Sequence, residues 1–110
     1  MNSKLISIAI MEPYPGMEEE FLETLRHLYT LMRSKGYSHD ELLRNRKNPQ
    51  HFFNIRHWTS EQARQDAHED PEVHRFWAKL GHQCFMRAVY ESLDAVDWQS
   101  LSAAGGEQKD

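Results

Sequence analysis

The sequence contains little cysteine, no excess of basic residues and no long apolar run, and each absence excludes a class of protein. Cys84 is the one cysteine in 110 residues, so no disulfide can form within the chain, which fits a reducing compartment. Lys and Arg number 13 against 17 Asp and Glu, so no basic face is available for nucleic acid or an anionic membrane. Since no apolar run reaches ~20 residues and the first residues lack a charged-then-apolar pattern, we expect neither a membrane span nor a signal peptide. We expect a cytoplasmic protein that binds neither nucleic acid nor membrane.

The length predicts one domain with a flexible end. A chain of 110 residues with 39% hydrophobic content can form a single core without a metal or a disulfide. We assign residues 1–95 to this domain. Apolar anchors become sparse beyond Val96 and the last residues are small and polar, so residues 96–110 are expected to be a flexible C-terminal extension.

Hydrophobic periodicity predicts alternating strands and helices. Residues 5–11 alternate with period two, with Ile6, Ile8 and Ile10 on one face. Residues 18–35 repeat apolar side chains every three or four positions and are followed by Gly36, which is typical of a helix with a glycine cap. Two short helices are predicted after N-caps at Ser60 and Asp70. A last strand spans 84–93, with Phe85, Val89 and Leu93 on one face.

The segment from 38 to 46 allows two interpretations. Its first residues resemble a helix capping box, whereas the order of the neighbouring elements favours a strand. We prefer the strand, which would form a hairpin with residues 51–58 around the turn at 47–50.

The resulting order predicts an α+β protein with the ferredoxin-like β-α-β-β-α-β arrangement. In this arrangement an antiparallel sheet carries helices on one face only. The other face would present the isoleucines of the first strand together with Phe85, Val89 and Leu93. Since such a face needs a cover, we expect a homodimer formed sheet to sheet.

The strand at 51–58 provides the candidate site. Its alternation puts Phe52, Asn54, Arg56 and Trp58 on one face. An amide and an indole four residues apart on the same side of a strand can line a pocket for an aromatic ligand. Asn54 could donate a hydrogen bond to an oxyanion, and Trp58 could stack on the ring and donate through its indole nitrogen.

Several motifs together resemble the antibiotic biosynthesis monooxygenase family over residues 4–94. They are the isoleucine-rich first strand, Pro-Gly-x-Glu-Glu-Glu-Phe-Leu at the first helix, Trp-Thr-Ser-Glu-Gln-Ala at 58–63 and Ala-His-Glu-Asp-Pro-Glu-Val at 67–73. The resemblance implies a dimeric α/β barrel. It also implies a cofactor-independent monooxygenase that uses dioxygen on a small phenolic, quinol or anthrone-like aromatic substrate.

The resemblance extends to some site residues and not to others. Asn54 and Trp58 match the asparagine and tryptophan that line the substrate pocket of the cofactor-independent members. The tyrosine and arginine that complete that pocket have no counterparts, because Arg64 and Ala78–Lys79 occupy about those positions. Ala67 and Trp77 stand where the haem-degrading members need a tryptophan and a histidine, which argues against haem degradation.

The remaining candidates come from the chemistry that such a substrate needs. Oxidation by dioxygen requires the substrate anion, so a base is needed, and His68 or His74 is the candidate; His57 points to the opposite face. Phe52, Arg56, Phe76 and Trp77 are the predicted substrate contacts. No metal ligand set is expected, since the histidines and carboxylates at 68–74 do not match a known metal motif.

Three functional classes stay open. They are a cofactor-independent oxygenase, a non-catalytic module that binds a small apolar ligand or haem, and a dimerising domain with a filled core. The volume of the pocket discriminates between them, because a cavity below roughly 300 Å³ would speak against the first two classes.

Overall fold

The computed structural model describes residues 4–101, whose elements follow the predicted order. They are β1 (Leu5–Pro13), α1 (Glu18–Ser34), β2 (Ser38–Arg44), β3 (Phe52–Trp58), α2 (Glu61–His68), α3 (Pro71–Gly81) and β4 (Cys84–Asp94), with a 3₁₀ turn at Trp98–Ser100. The segment that allowed two interpretations is a strand, as preferred. Of the C-terminal extension predicted at 96–110, residues 96–101 contain the 3₁₀ turn, and residues 102–110 lie outside the described residues.

The four strands form one antiparallel sheet in the order β2-β3-β1-β4. β1 occupies the centre beside β3, and β2 and β4 form the two edges. This order, with two crossover helical segments, is the ferredoxin-like arrangement, so the predicted α+β fold class is confirmed.

Local capping fixes where the helices begin and end. Gly36 adopts φ +76° after α1, and the N–H groups of Gly36 and Tyr37 donate to the carbonyls of Arg33 and Met32, which is a Schellman cap. The hydroxyl of Ser60 accepts from the N–H of Ala63 at the start of α2. The Asp70 carboxylate caps α3 in the same way, so both predicted N-caps are confirmed.

The two faces of the sheet differ in burial. In β3 every second residue is buried, beginning with Phe52, and these residues face the helices. The core on that side contains apolar residues of the sheet and of all three helices: Met11, Phe21, Leu25, Leu28, Met32, Phe52, Trp58, Ala67, Val73, Leu80 and Cys84. The opposite face carries partly exposed side chains, which we call the open sheet face: Ile6, Ile8, Ile10, Phe53, Ile55, Tyr90 and Leu93.

One detail of β4 corrects the sequence analysis. Val89 pairs with Ala9, a residue of the helix side, whereas Tyr90 pairs with Ile8 on the open sheet face. The register between β1 and β4 shifts twice, between Ile6 and Ile8 and between Ile10 and Met11. Each such bulge moves the following side chains to the other face, so the strict alternation predicted for 84–93 was wrong at Val89.

No helix within residues 4–101 combines the length and the apolar character that crossing a membrane would require.

Candidate active site

A cavity of about 210 Å³ lies between the helix side of the sheet and the three helices. We call it the helix-side pocket. Its wall combines side chains and backbone of three strands with residues from every helix: Ser7, Ile8, Ala9, Met11, Leu28, Asn54, Arg56, Trp58, His68, Trp77, Leu80, Met86, Val89 and Glu91. The wall is mostly apolar, with a few polar groups, as is usual for small-molecule sites.

The volume decides the size of any ligand. It falls below the 300 Å³ expected for drug-sized molecules, so the criterion set from the sequence speaks against both an oxygenase and a ligand-binding module with a ligand of that size, and a tricyclic anthrone or a haem is too large for this pocket. A smaller dry cavity, of about 150 Å³ in an engineered protein, binds benzene. The helix-side pocket therefore has space for a molecule of one aromatic ring.

Asn54 and Trp58 both lie on the wall of the helix-side pocket, as the alternation of β3 indicated. Asn54 is 7% exposed and Trp58 is 8% exposed. The structure thus brings the two residues together on one face, while their chemical roles stay predictions.

The amide of Asn54 is already engaged within the protein. Its Nδ2 donates to Oδ2 of Asp40 over 3.1 Å and approaches the carbonyl of Glu41 at 3.5 Å. Within residues 4–101 its Oδ1 has no hydrogen-bond partner, and this oxygen atom is partly accessible to solvent. Asn54 therefore offers the pocket an acceptor, and the donor role that we expected from the sequence is not available in this orientation.

Trp58 is held in a similar way. Its Nε1 donates to Oγ of Ser7 over 2.8 Å, and Ser7 Oγ donates to the carbonyl of Glu91 over 2.7 Å. This chain of bonds crosses β3, β1 and β4. The indole can still stack on a ligand ring, but its N–H group is committed to Ser7.

Arg56 supplies the free donors of the pocket. Its Nε donates to Oδ2 of Asp40 over 2.6 Å, and its side chain is 10% exposed. The guanidinium carbon lies 5.5 Å from the ring centre of Trp58. Its two terminal nitrogens make no hydrogen bond to any of the described residues, and both are partly accessible to solvent. A guanidinium of this kind suits an oxyanion.

The two candidate bases occupy different places. His68 lines the pocket at its outer rim, 6.2 Å from the ring of Trp58 and 5.1 Å from that of Trp77. His74 stacks on Trp77 from outside at 5.6 Å, and its Nε2 contacts the carbonyl of His68. Of the two, His68 lines the helix-side pocket and His74 does not, so His68 is the candidate that can meet a substrate there.

The predicted substrate contacts divide into two groups. Trp77 and Arg56 line the helix-side pocket, whereas Phe52 and Phe76 do not. Phe52 packs in the core with its ring 5.4 Å from that of Phe21, and Phe76 packs against the same core. Phe21 of α1 covers Phe52 at the start of β3, and Phe76 of α3 packs against the core, so the predicted contact of these two residues with substrate is not supported.

Other residues of the site were missed in the sequence analysis. Asp40 could have been found from the hairpin, because its alternation places residues 38, 40, 42 and 44 opposite β3 residues on the helix side. Ser7 shares a face with Ala9 by the same reasoning. The sequence pattern did not indicate that Met86, Val89 and Glu91 line the pocket, because the bulges in the pairing of β1 with β4 determine which side of the sheet they face.

Within residues 4–101 no group of three or more His, Cys, Asp or Glu side chains is arranged to hold a metal ion.

Burial raises the pKa of the Cys84 thiol to about 11, so this cysteine is a poor nucleophile at neutral pH.

Fold and site together define a small ferredoxin-like α+β protein with an aromatic-lined pocket on its helix side. The model of the antibiotic biosynthesis monooxygenase family matches residues 5–79. The chain belongs to this family, as its motifs suggested.

Solved structures support the same fold. A protein described as an antibiotic biosynthesis monooxygenase is 23% identical, with a TM-score of 0.69 over 84% of this chain and 98% of its own. SnoaB from Streptomyces nogalater, a cofactor-independent oxygenase, is 16% identical, with a TM-score of 0.69 over 86% of this chain and 98% of its own. A Pseudomonas aeruginosa protein is 21% identical, with a TM-score of 0.70 over 87% and 97%. No curated protein matches the chain.

Proposed function

We propose that this protein is a monooxygenase that uses dioxygen, without metal or flavin, on a phenol or quinol of one aromatic ring. The observation that carries the proposal is the helix-side pocket, in which the free donors of Arg56 lie beside the indole of Trp58. Membership in the monooxygenase family and the fold shared with a cofactor-independent oxygenase support the type of reaction.

The chemistry is balanced without an external reductant. When a phenol is oxidised to a quinone, one atom of O₂ becomes the new carbonyl oxygen and the other leaves as water with two substrate hydrogens. The phenolate is the electron donor, so a site that favours the ionised oxygen favours the reaction. In this proposal the terminal nitrogens of Arg56 stabilise that oxygen.

The other pocket residues have complementary roles in this proposal. Trp58 and Trp77 bind the faces or edges of the ring, since aromatic pairs prefer offset or edge-to-face contact. His68 accepts the phenolic proton at the rim, where it can pass the proton to solvent. His74 contacts the backbone of His68 and so acts on its position rather than on the substrate.

We further propose that the protein is a homodimer in the cytoplasm. The open sheet face is a continuous patch of partly exposed isoleucine and aromatic side chains, and the exposed residues Phe85 and Tyr90 at its edge are 49% and 52% accessible. A second copy would bury this patch. The single buried cysteine fits a reducing compartment.

Dioxygen consumption with one-ring substrates tests the oxygenase. An oxygen electrode would follow phenol, catechol and hydroquinone with the native protein and with Asn54→Ala, Trp58→Phe and His68→Gln. Matched controls outside the pocket are Asn48→Ala, Trp98→Phe and His82→Gln, and circular dichroism would confirm that all variants are folded.

We expect uptake above the spontaneous rate that falls at least about tenfold in each pocket variant and in no control. With ¹⁸O₂, one labelled atom should appear in the product. Binding of these molecules without uptake would favour the alternative, a non-catalytic small-ligand module. The absence of both would leave a dimerising domain.

A further inference from the structure

A buried carboxylate behind the helix-side pocket holds two of its polar residues. The side chain of Asp40 is 0% exposed. Its Oδ2 accepts from Asn54 Nδ2 at 3.1 Å and from Arg56 Nε at 2.6 Å, while its Oδ1 accepts from the hydroxyl of Ser38 at 3.1 Å. Asp40 does not itself line the pocket, so it can act on a ligand only through Asn54 and Arg56.

The carboxylate determines which atoms face the ligand. An ionised carboxylate only accepts hydrogen bonds, so Asn54 must turn its NH₂ group towards Asp40 and is left with Oδ1 for the pocket. Arg56 is engaged through Nε and is left with its terminal nitrogens. Both bonds end on one oxygen atom, so the amide and the guanidinium lie side by side.

We infer that Asp40 is a positioning residue that gives the pocket one fixed acceptor, Asn54 Oδ1, beside one fixed cationic donor, Arg56. The pocket would then select a single ring that carries a hydroxyl next to an ionised oxygen, as in the monoanion of a 1,2-dihydroxybenzene. This inference deepens the proposed function and rests on it for the use of this pocket.

The geometry and the charge both favour adjacent oxygens and a single negative charge. Neighbouring substituents of a ring can reach two side chains that lie side by side, whereas the oxygens of a 1,4-quinol are at opposite ends of the ring. Arg56 is the one guanidinium or ammonium group among the lining residues, and Glu91 places a carboxylate on the same wall, so the pocket can accept at most one negative charge, at Arg56. A dianion would therefore find no second cation in the pocket.

Anaerobic binding of three probes tests the selection in the native chain. Calorimetry would give the dissociation constants of catechol, hydroquinone and 1,2-dimethoxybenzene, which lacks both hydroxyl groups. We expect catechol to bind at least about tenfold more tightly than either of the others, since one hydrogen bond to a charged group is worth about that factor. Equal affinities for catechol and hydroquinone would overturn the inference.

The variant Asp40→Asn tests the positioning role. An amide at this position can donate to Asn54 Oδ1, so the Asn54 amide no longer has a fixed direction. The preference for catechol over 1,2-dimethoxybenzene should fall several-fold, whereas Asp94→Asn, the same change at an exposed position of β4, should keep it. A merely structural role would weaken both probes equally and leave the preference unchanged, which would contradict the inference.

A second measurement applies if Asp40→Asn does not fold. In the native protein the side-chain NH₂ protons of Asn54 should exchange slowly with solvent, both without ligand and with catechol bound. Fast exchange of these protons in either state would show that Asp40 does not hold the amide and would overturn the inference. These binding measurements are anaerobic and so do not depend on turnover. If the protein prefers catechol but consumes no dioxygen, only the proposed oxygenase activity is refuted. If it consumes dioxygen but binds the three probes equally, only the role of Asp40 is refuted.

Discussion

Trp58 donates its indole N–H to the hydroxyl of Ser7 over 2.8 Å, and this bond joins the end of β3 to β1 near its start. Ser7 in turn donates to the carbonyl of Glu91 on β4. Since the indole ring forms part of the wall of the helix-side pocket, the orientation of that wall depends on a small hydroxyl that holds three strands in register.

The variant Ser7→Ala should lower the free energy of unfolding by about 1–2 kcal/mol, because it leaves the N–H of a nearly buried indole without a partner. Urea unfolding followed by tryptophan fluorescence would measure the change. Ser92→Ala, an exposed serine of the same sheet, is the matched control and should change the value by less than about 0.5 kcal/mol. Equal values for the two variants would mean that the bond makes no net contribution.

Local periodicity was sufficient to predict most of the fold and part of the site. The side chains of a strand alternate between its faces, so Asn54, Arg56 and Trp58 could be placed on one face before the structure was known. The caps at Ser60 and Asp70 depend on neighbouring residues only, and they too were predictable.

Pairing between distant strands was not predictable in the same way. Whether Val89 or Tyr90 faces the pocket depends on bulges in the pairing of β1 with β4, which no local pattern in residues 84–93 specifies. Asp40 differs from these residues, because the alternation of the predicted hairpin could have placed it on the helix side; it was missed since the first strand of that hairpin also resembled a helix start. The direction of the Asn54 amide follows from Asp40, so this direction was missed as well.

Asp70 should make the free energy of unfolding depend on pH in the acidic range. Hydrogen bonds from Lys35 Nζ at 2.8 Å and from Tyr37 Oη at 2.7 Å hold the pKa of its carboxyl well below its usual range. A lowered pKa in the folded state means that the stabilisation is present above the unfolded value, about pH 4, and is lost as the pH falls further. Asp70→Asn retains a good N-cap residue but loses the charge.

We therefore expect the native protein to be more stable than Asp70→Asn at pH 7, with the difference narrowing between pH 4 and pH 2. Urea midpoints at pH 7, 4, 3 and 2 would measure it, and Asp94→Asn at an exposed position is the control. A difference between native protein and Asp70→Asn that stays constant down to pH 2 would contradict this role of the charge.

The open sheet face should be sensitive to a buried charge if two copies meet there. Ile55 lies at its centre between Ile8 and Glu41. In Ile55→Lys the new ammonium group can pair with Glu41 in a monomer, but burying it in an interface is costly. The dissociation constant of the dimer should rise more than about tenfold.

Light scattering after size exclusion would measure this change against the 13.0 kDa of one chain. Leu101→Lys, at an exposed position outside the sheet, should leave the mass unchanged. A monomeric native protein, or a dimer that Ile55→Lys does not weaken, would exclude the open sheet face as the interface.

Ala9 allows the pocket to be filled without removing any of its polar groups. It pairs with Asn54 on one side and with Val89 on the other, so its methyl group lies on the pocket wall. Ala9→Leu adds three carbon atoms where there is empty space, and the free energy of unfolding should stay within about 1 kcal/mol of the native value or increase.

The affinity of Ala9→Leu for catechol should fall at least about tenfold because the ring and the new side chain need the same volume. Ala95→Leu makes the same change at an exposed position just after β4 and should leave catechol binding unchanged. If Ala9→Leu binds catechol as the native protein does, the ligand does not occupy the helix-side pocket, and the roles proposed for Arg56, Trp58 and His68 are wrong together.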